Sequence, residues 1–171
     1  VLAEAVQWAA RSLPLRPSVP ILAGLLVHAD AEGVTFSSFD YETSAQIHVT
    51  AAVADEGQAL VSGRLLADIS RSLPPKPVDI TSDDTKMELI CGSARFTLQT
   101  LPESDFPDLA AGEMTHSFKV AASDLKRLID KTQFAISTEE TRYYLNGIYL
   151  HTAGTAKAQT LRGVATDGHR L

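Results

Sequence analysis

The chain has 171 residues, 44% of them apolar and 21% charged, with a formal net charge of −6. That is globular composition, sufficient for one domain or two small ones, and no run of about 18 apolar residues is present to suggest a membrane span. Cys91 is the sole cysteine, which excludes an intrachain disulfide or a thiolate metal cluster and fits a reducing, cytoplasmic setting.

The opening Val1–Val6 has no basic n-region and reads as helix, not as a signal peptide; without an initiator Met, the chain is expected to begin inside a longer protein. A first helix is predicted over 2–13, with Leu2, Val6, Ala9 and Leu13 on one stripe and Pro14 and Pro17 ending it. Strands are predicted over 21–29, 34–39 and 43–53. A second helix follows over 63–73, with Ser62 as N-cap and Leu65, Leu66, Ile69 and Leu73 facing inward. Strands at 78–81 and 87–90 flank the turn Ser82–Thr85, and 94–101 alternates, with Phe96 and Leu98 on one face. Pro102–Thr115 is rich in Pro, Gly and acids and reads as a connection. Beyond it come a short strand at 117–120, a helix over 124–133 capped by Ser123 with Leu125, Leu128 and Ile129 inward, and strands at 143–152 and 160–165. The domains are therefore expected at 1–108 and 117–171, joined by a linker at 109–116.

Two internal repeats organise these elements. Arg11-Ser12-Leu13-Pro14 returns as Arg71-Ser72-Leu73-Pro74, sixty positions on, and each copy ends a helix. A longer echo has an offset of 123: Leu22, Gly24 and His28 recur as Leu145, Gly147 and His151. The first domain thus reads as two similar halves, and the second domain as a repeat of the first.

Charge is sorted along the chain. Residues 1–17, 62–76 and 122–133, the helices with their flanks, hold eight basic and four acidic residues, whereas the remainder holds seven basic and seventeen acidic. Arg64 and Arg71 share a helical stripe, as do Arg127 and Lys131. Such faces can lie near phosphates without reading bases; for any one helix they also fit an ordinary solvated face.

Specific motifs carry a resemblance. Arg142-Tyr143-Tyr144-Leu145-Asn146-Gly147 and Thr166-Asp167-Gly168-His169-Arg170-Leu171 are similar to the second-domain signatures of the bacterial DNA polymerase III beta subunit family. Residues 16–22, 95–102 and 105–107 resemble first-domain landmarks in the right order. The resemblance implies an α+β DNA-clamp fold: repeated β-α-β-β-β units with helices on one face of antiparallel sheets. It implies a head-to-tail homodimeric ring that encircles duplex DNA as a processivity factor and binds polymerase subunits and the clamp loader through short peptides, with no catalytic residues, cofactor, metal or membrane. The matching DNA-contact position is Arg16, with Arg64, Arg71, Arg127 and Lys131 added from the charge pattern. The acid Glu139 stands where the family often has a neutral polar residue, so no DNA contact is carried over to it.

The peptide pocket maps onto Leu145, Thr166, Gly168, His169, Arg170 and Leu171. The subunit interface maps onto Ile69, Arg95, Phe96 and Leu98, where the alternating Arg-Phe-Thr-Leu strand can pair with a partner's edge, although Phe96 and Leu98 also fit a plain core role. Relative to the family, the opening strand, the second half of domain two and domain three are expected to lie outside these residues. Taken without the resemblance, Asp167–Arg170 reads as a turn that ends a strand. Rival functions are an adaptor built from repeats that binds no DNA, and a hydrolase using Asp167 with His169 or His151. No nucleophile motif supports the hydrolase, and the equivalent repeat positions of His28 and His151 favour a structural role.

Overall fold

The computed structural model describes residues 1–14, 16–17, 19–104, 106–107, 117–155 and 158–171; the linker expected at 109–116 lies outside them. The chain divides into two compact units, Val1–Ala110 and Ala111–Leu171.

The first unit opens with helix α1 (Leu2–Ala9), which tightens into a 3₁₀ turn over Ala10–Ser12. A second 3₁₀ turn, Pro20–Ala23, leads into β1 (Gly24–Asp30), followed by β2 (Gly33–Phe39), β3 (Ser44–Val49) and β4 (Gly57–Ser62). Helix α2 (Gly63–Ser72) comes next, then β5 (Asp79–Ser82), β6 (Lys86–Cys91) and β7 (Ala94–Leu101). All seven strands form one sheet in the order β3-β2-β1-β4-β7-β6-β5, every neighbouring pair antiparallel. The run β4-α2-β5-β6-β7 is one complete β-α-β-β-β unit, and α1-β1-β2-β3 matches its last four elements.

A single apolar cluster explains why both helices lie on the sheet. Ala5, Val6 and Ala9 of α1 and Leu66, Ala67 and Ile69 of α2 meet Leu25, Val27, Phe36, Ala59, Val61, Met87, Leu89 and Leu98 from the strands. Fully burying each of the larger of these side chains contributes about 1.5–3 kcal/mol. At the C-terminal end of α1, the Ser38 hydroxyl donates to the Ala9 carbonyl at 2.6 Å and the Ser12 hydroxyl to the same carbonyl at 3.3 Å, which ties β2 to the end of the helix.

Several expectations are corrected. Strand β4 was absent from the sequence reading, yet Ala59, Leu60 and Val61 are buried at its centre. Ile21–Ala23 is a 3₁₀ turn instead of strand, because Pro20 sits at its first position with φ already suited to a helical turn. Strand β3 stops at Val49, short of the expected 53. Ser62 precedes α2 but its hydroxyl makes no capping bond, and Leu65 points outward at 48% exposure.

The second unit contains α3 (Ala122–Thr132), a 3₁₀ turn at Gln133–Ala135, a kinked 3₁₀ segment at Glu140–Leu145, and the antiparallel pair β8 (Tyr149–Thr155) and β9 (Ala158–Val164). This order follows α1, its two 3₁₀ turns, β1 and β2, so the repeat read at an offset of 123 has a structural counterpart. Residues 117–120 form no strand, Ser123 lies inside α3 behind an N-cap at Ala121, and Tyr143–Leu145 is 3₁₀ where strand was expected. Leu125 and Leu128 are half-buried, whereas Ile129 is exposed.

Candidate functional site

The basic residues predicted to face phosphates are all exposed. In the first unit, Arg64 and Arg71 stand two turns apart on the outer face of α2, whose opposite face packs into the core. Arg71 pairs with Asp68 at 3.7 Å, an exposed pair worth little. Arg64 donates from Nη2 to the Pro14 carbonyl at 3.3 Å and so reaches the loop that carries Arg16. This brings Arg64 to Pro14, two positions before Arg16, a link that the sequence spacing of fifty residues hides. In the second unit, Arg127 pairs with Asp124 at 3.2 Å and Lys126 with Asp130, while Lys131 has no ion pair among the described residues.

The six residues mapped to a peptide pocket belong to two segments of the second unit. Leu145 ends the Glu140–Leu145 segment and is half-buried; its carbonyl accepts the Ser137 amide at 3.1 Å, which closes the loop 137–145. The other five lie in the turn Thr166–Leu171 after β9. Thr166 Oγ1 donates to the Arg170 carbonyl at 2.7 Å and accepts the Gly168 amide at 3.0 Å. Gly168 adopts φ +91°, a left-handed conformation that a side chain would strain.

Asp167 organises this turn from within. Its Oδ1 accepts the amides of His169 at 2.9 Å and Arg170 at 3.0 Å, and its Oδ2 accepts Arg170 Nε at 2.8 Å. The His169 amide, followed by the Arg170 amide and guanidinium, holds the carboxyl down at about 2. The guanidinium of Arg170 also lies 5.8 Å from the Phe134 ring centroid. Its Nε is therefore engaged within the turn. His169 and Leu171 are exposed, Leu171 at 83%. Asp167 is thus a turn-former with both oxygens engaged in three hydrogen bonds, which argues against the general-base role considered for it. His151 stacks on Tyr149 with ring centroids 5.3 Å apart. Among the described residues, no three His, Cys, Asp or Glu side chains converge as metal ligands.

The residues mapped to a subunit interface separate into two kinds. Ile69 and Leu98 are buried within the first unit, 8% and 1% exposed, because the inward face of α2 and of β7 meets the main apolar cluster. Phe96 packs half-buried against that cluster. Arg95 is exposed, with Glu88 at 3.9 Å. The backbone leaves room for the edge pairing expected of this strand: β7 pairs with β4 only through Leu101 and Thr100. Arg95–Gln99 therefore present an unpaired edge on that side, among the described residues. The extent of the open stretch depends on where β4 ends, which the sequence does not mark.

Residues 1–110 match the family described as DNA polymerase III beta subunit, N-terminal domain, and residues 119–171 match its central domain. The chain is 45% identical over its whole length to a beta sliding clamp of Streptomyces coelicolor, covering 44% of that protein. It is 40% identical over 91% of its length to a beta sliding clamp of Caulobacter vibrioides, covering 43% of it. Among solved structures, a Bartonella birtlesii sliding clamp bound to griselimycin superposes with a TM-score of 0.89 at 39% identity, over 98% of this chain and 45% of that one. A Caulobacter crescentus pol III beta gives 0.89 at 38% identity, over 98% and 46%. The chain spans less than half the length of these relatives. With family matches across both units and antiparallel sheet and helices arranged as in known clamps, the chain belongs to the DNA polymerase III beta subunit family.

Proposed function

We propose that the protein to which this chain belongs is a processivity factor: a non-catalytic, cytoplasmic sliding clamp that closes as a homodimeric ring around duplex DNA and tethers replication partners. The observation that carries this reading is the charge sorting made physical. In the first unit the core-facing side of α2 is apolar and its outer side bears Arg64 and Arg71, with Arg16 on the loop that Arg64 holds. A phosphate-facing surface of this kind neutralises charge without reading sequence, and a clamp that slides needs that property.

The turn Thr166–Leu171, with Leu145, is the proposed docking site for short partner peptides from polymerase subunits and the clamp loader. The Leu171 side chain is apolar, and the Arg170 Nη groups offer charged donors. Griselimycin, bound by the Bartonella birtlesii and Pseudomonas aeruginosa clamps, is the corresponding proposed ligand. The open edge of β7 at Arg95–Gln99 supports a strand-pairing subunit interface.

The test is topological. The full-length protein, loaded on nicked circular DNA, should remain associated through gel filtration at moderate salt and be released when the circle is linearised. Equal retention on both forms would argue for ordinary DNA binding, and retention on neither for an adaptor that does not encircle DNA.

A further inference from the structure

Between the two segments of the proposed docking site stands one side chain that the motif comparison leaves without a role. Arg142 lies at the kink of the Glu140–Leu145 segment, where its own backbone (φ −109°, ψ 46°) departs from helical values. Its Nε meets Glu139 Oε2 at 3.1 Å, and its Nη1 approaches the Asp167 carbonyl at 3.5 Å. The same Nη1 lies 3.0 Å from where a Cβ on Gly168 would stand. Loop 137–145 is closed on itself by the Ser137–Leu145 hydrogen bond, and Ser137 is buried with its hydroxyl accepting the Glu139 amide at 3.2 Å. The turn 166–171 is closed on itself by Thr166 and Asp167. Two internally tied segments thus face each other, with a guanidinium between them.

Resting on the docking-site reading above, we propose that Arg142 is a positioning residue, a strut that holds the turn at Asp167–Gly168 against the loop that carries Leu145, with Glu139 as its anchor. A guanidinium suits this task because its donors diverge in a rigid plane: one edge serves the carboxylate while another reaches the carbonyl. A lysine ammonium could pair with Glu139 but lacks that fixed fork. The absence of a side chain at Gly168 is part of the arrangement, since a Cβ there would crowd Nη1. Glu139 is thereby an internal counter-charge, which accounts for an acid at a loop position where the family often has a neutral residue.

The experiment uses the full-length protein with griselimycin as the probe, measured by calorimetry, alongside hydrogen exchange of the unliganded protein. Arg142→Ala should weaken griselimycin about fivefold and speed exchange of the 168–171 amides, while exchange in α3 stays unchanged. Arg142→Lys should fail to restore either quantity fully. Glu139→Gln should give a smaller loss, about twofold, as expected when an exposed ion pair is removed. Weaker binding with exchange at 168–171 unchanged would make Arg142 a direct ligand contact and overturn the strut; so would wild-type behaviour of Arg142→Ala in both measurements. If Arg142→Ala unfolds the unit, the Lys and Gln variants decide by the same two readouts. If the wild-type protein does not bind griselimycin, the docking-site reading falls, and the exchange measurement alone still judges the strut.

Discussion

Arg64 Nη2 donates to the carbonyl of Pro14 at 3.3 Å, so a residue in the first turn of α2 holds the loop that follows α1. On the proposed DNA surface this guanidinium would have two tasks, anchoring the chain just before Arg16 and adding positive charge of its own. In the full-length protein, Arg16→Ala should lower the slope of log affinity against log salt by about 0.9, the value for one lost phosphate contact. Arg64→Ala should lower it by at least as much, since it removes its own charge and frees the Arg16 loop. Fluorescence anisotropy on a short duplex over a salt series measures both; slopes equal to wild type would remove these residues from the DNA surface.

Gly33 has φ +152° after the Asp30 turn, and a Cβ there would stand 2.2 Å from the Val49 carbonyl oxygen of β3. Because the obstacle is backbone, no rotamer change relieves it. Gly33→Ala should destabilise the first unit by about 3 kcal/mol through strain and displacement of the β2–β3 ladder. Urea denaturation of the two proteins side by side tests this, and a difference under about 0.5 kcal/mol, the range of neutral surface changes, would contradict it.

Cys91 is 1% exposed, with its thiol directed at the Pro74 and Lys76 carbonyls at 3.5 and 3.7 Å. The thiol should resist a disulfide reagent in native buffer and react fully in denaturant, with native labelling limited by unfolding of the β5–β7 region. Rapid labelling in buffer alone would show that this edge of the sheet opens freely.

Asp167 titrates at about 2, below its ordinary 3.8. A depressed carboxyl stabilises the folded turn once the pH is above the unfolded value, and that contribution fades as pH falls from about 4 through about 2. From pH 5 to 8 the turn should therefore be insensitive to this group. Asp167→Asn should weaken the turn across that whole range, since it replaces the charge facing Arg170. Carboxyl-detected NMR titration gives the value directly; a midpoint near 4 would mean that the His169 and Arg170 amides do not hold it in solution.

The sequence made the repeats, both ends of β7 and the three helices legible, because each rests on periodic apolar residues stopped by proline or a turn. It failed where periodicity has nothing to report. Strand β4 is buried on both faces, Ala59 and Val61 toward the cluster and Leu60 against Gly24, so it shows no alternation. The two 3₁₀ turns at Ile21–Ala23 and Tyr143–Leu145 were both read as strand, at equivalent repeat positions. Apolar and aromatic residues misled in each copy, since a turn that feeds a strand can carry such side chains as readily as the strand does. Site residues were legible as motifs, but their relationships were not: Arg64 to Pro14 and Arg142 to Asp167 join residues far apart in the chain.

The unpaired stretch of β7 has a cost when the protein is alone. Main-chain amides and carbonyls accept any extended chain of suitable register, so the row at Arg95–Gln99 that would serve an intended mate is an equally good template for a stray one. Keeping that margin occupied would then protect the subunit against misassembly, and a shortage of mates would surface first as clumping rather than as loss of fold.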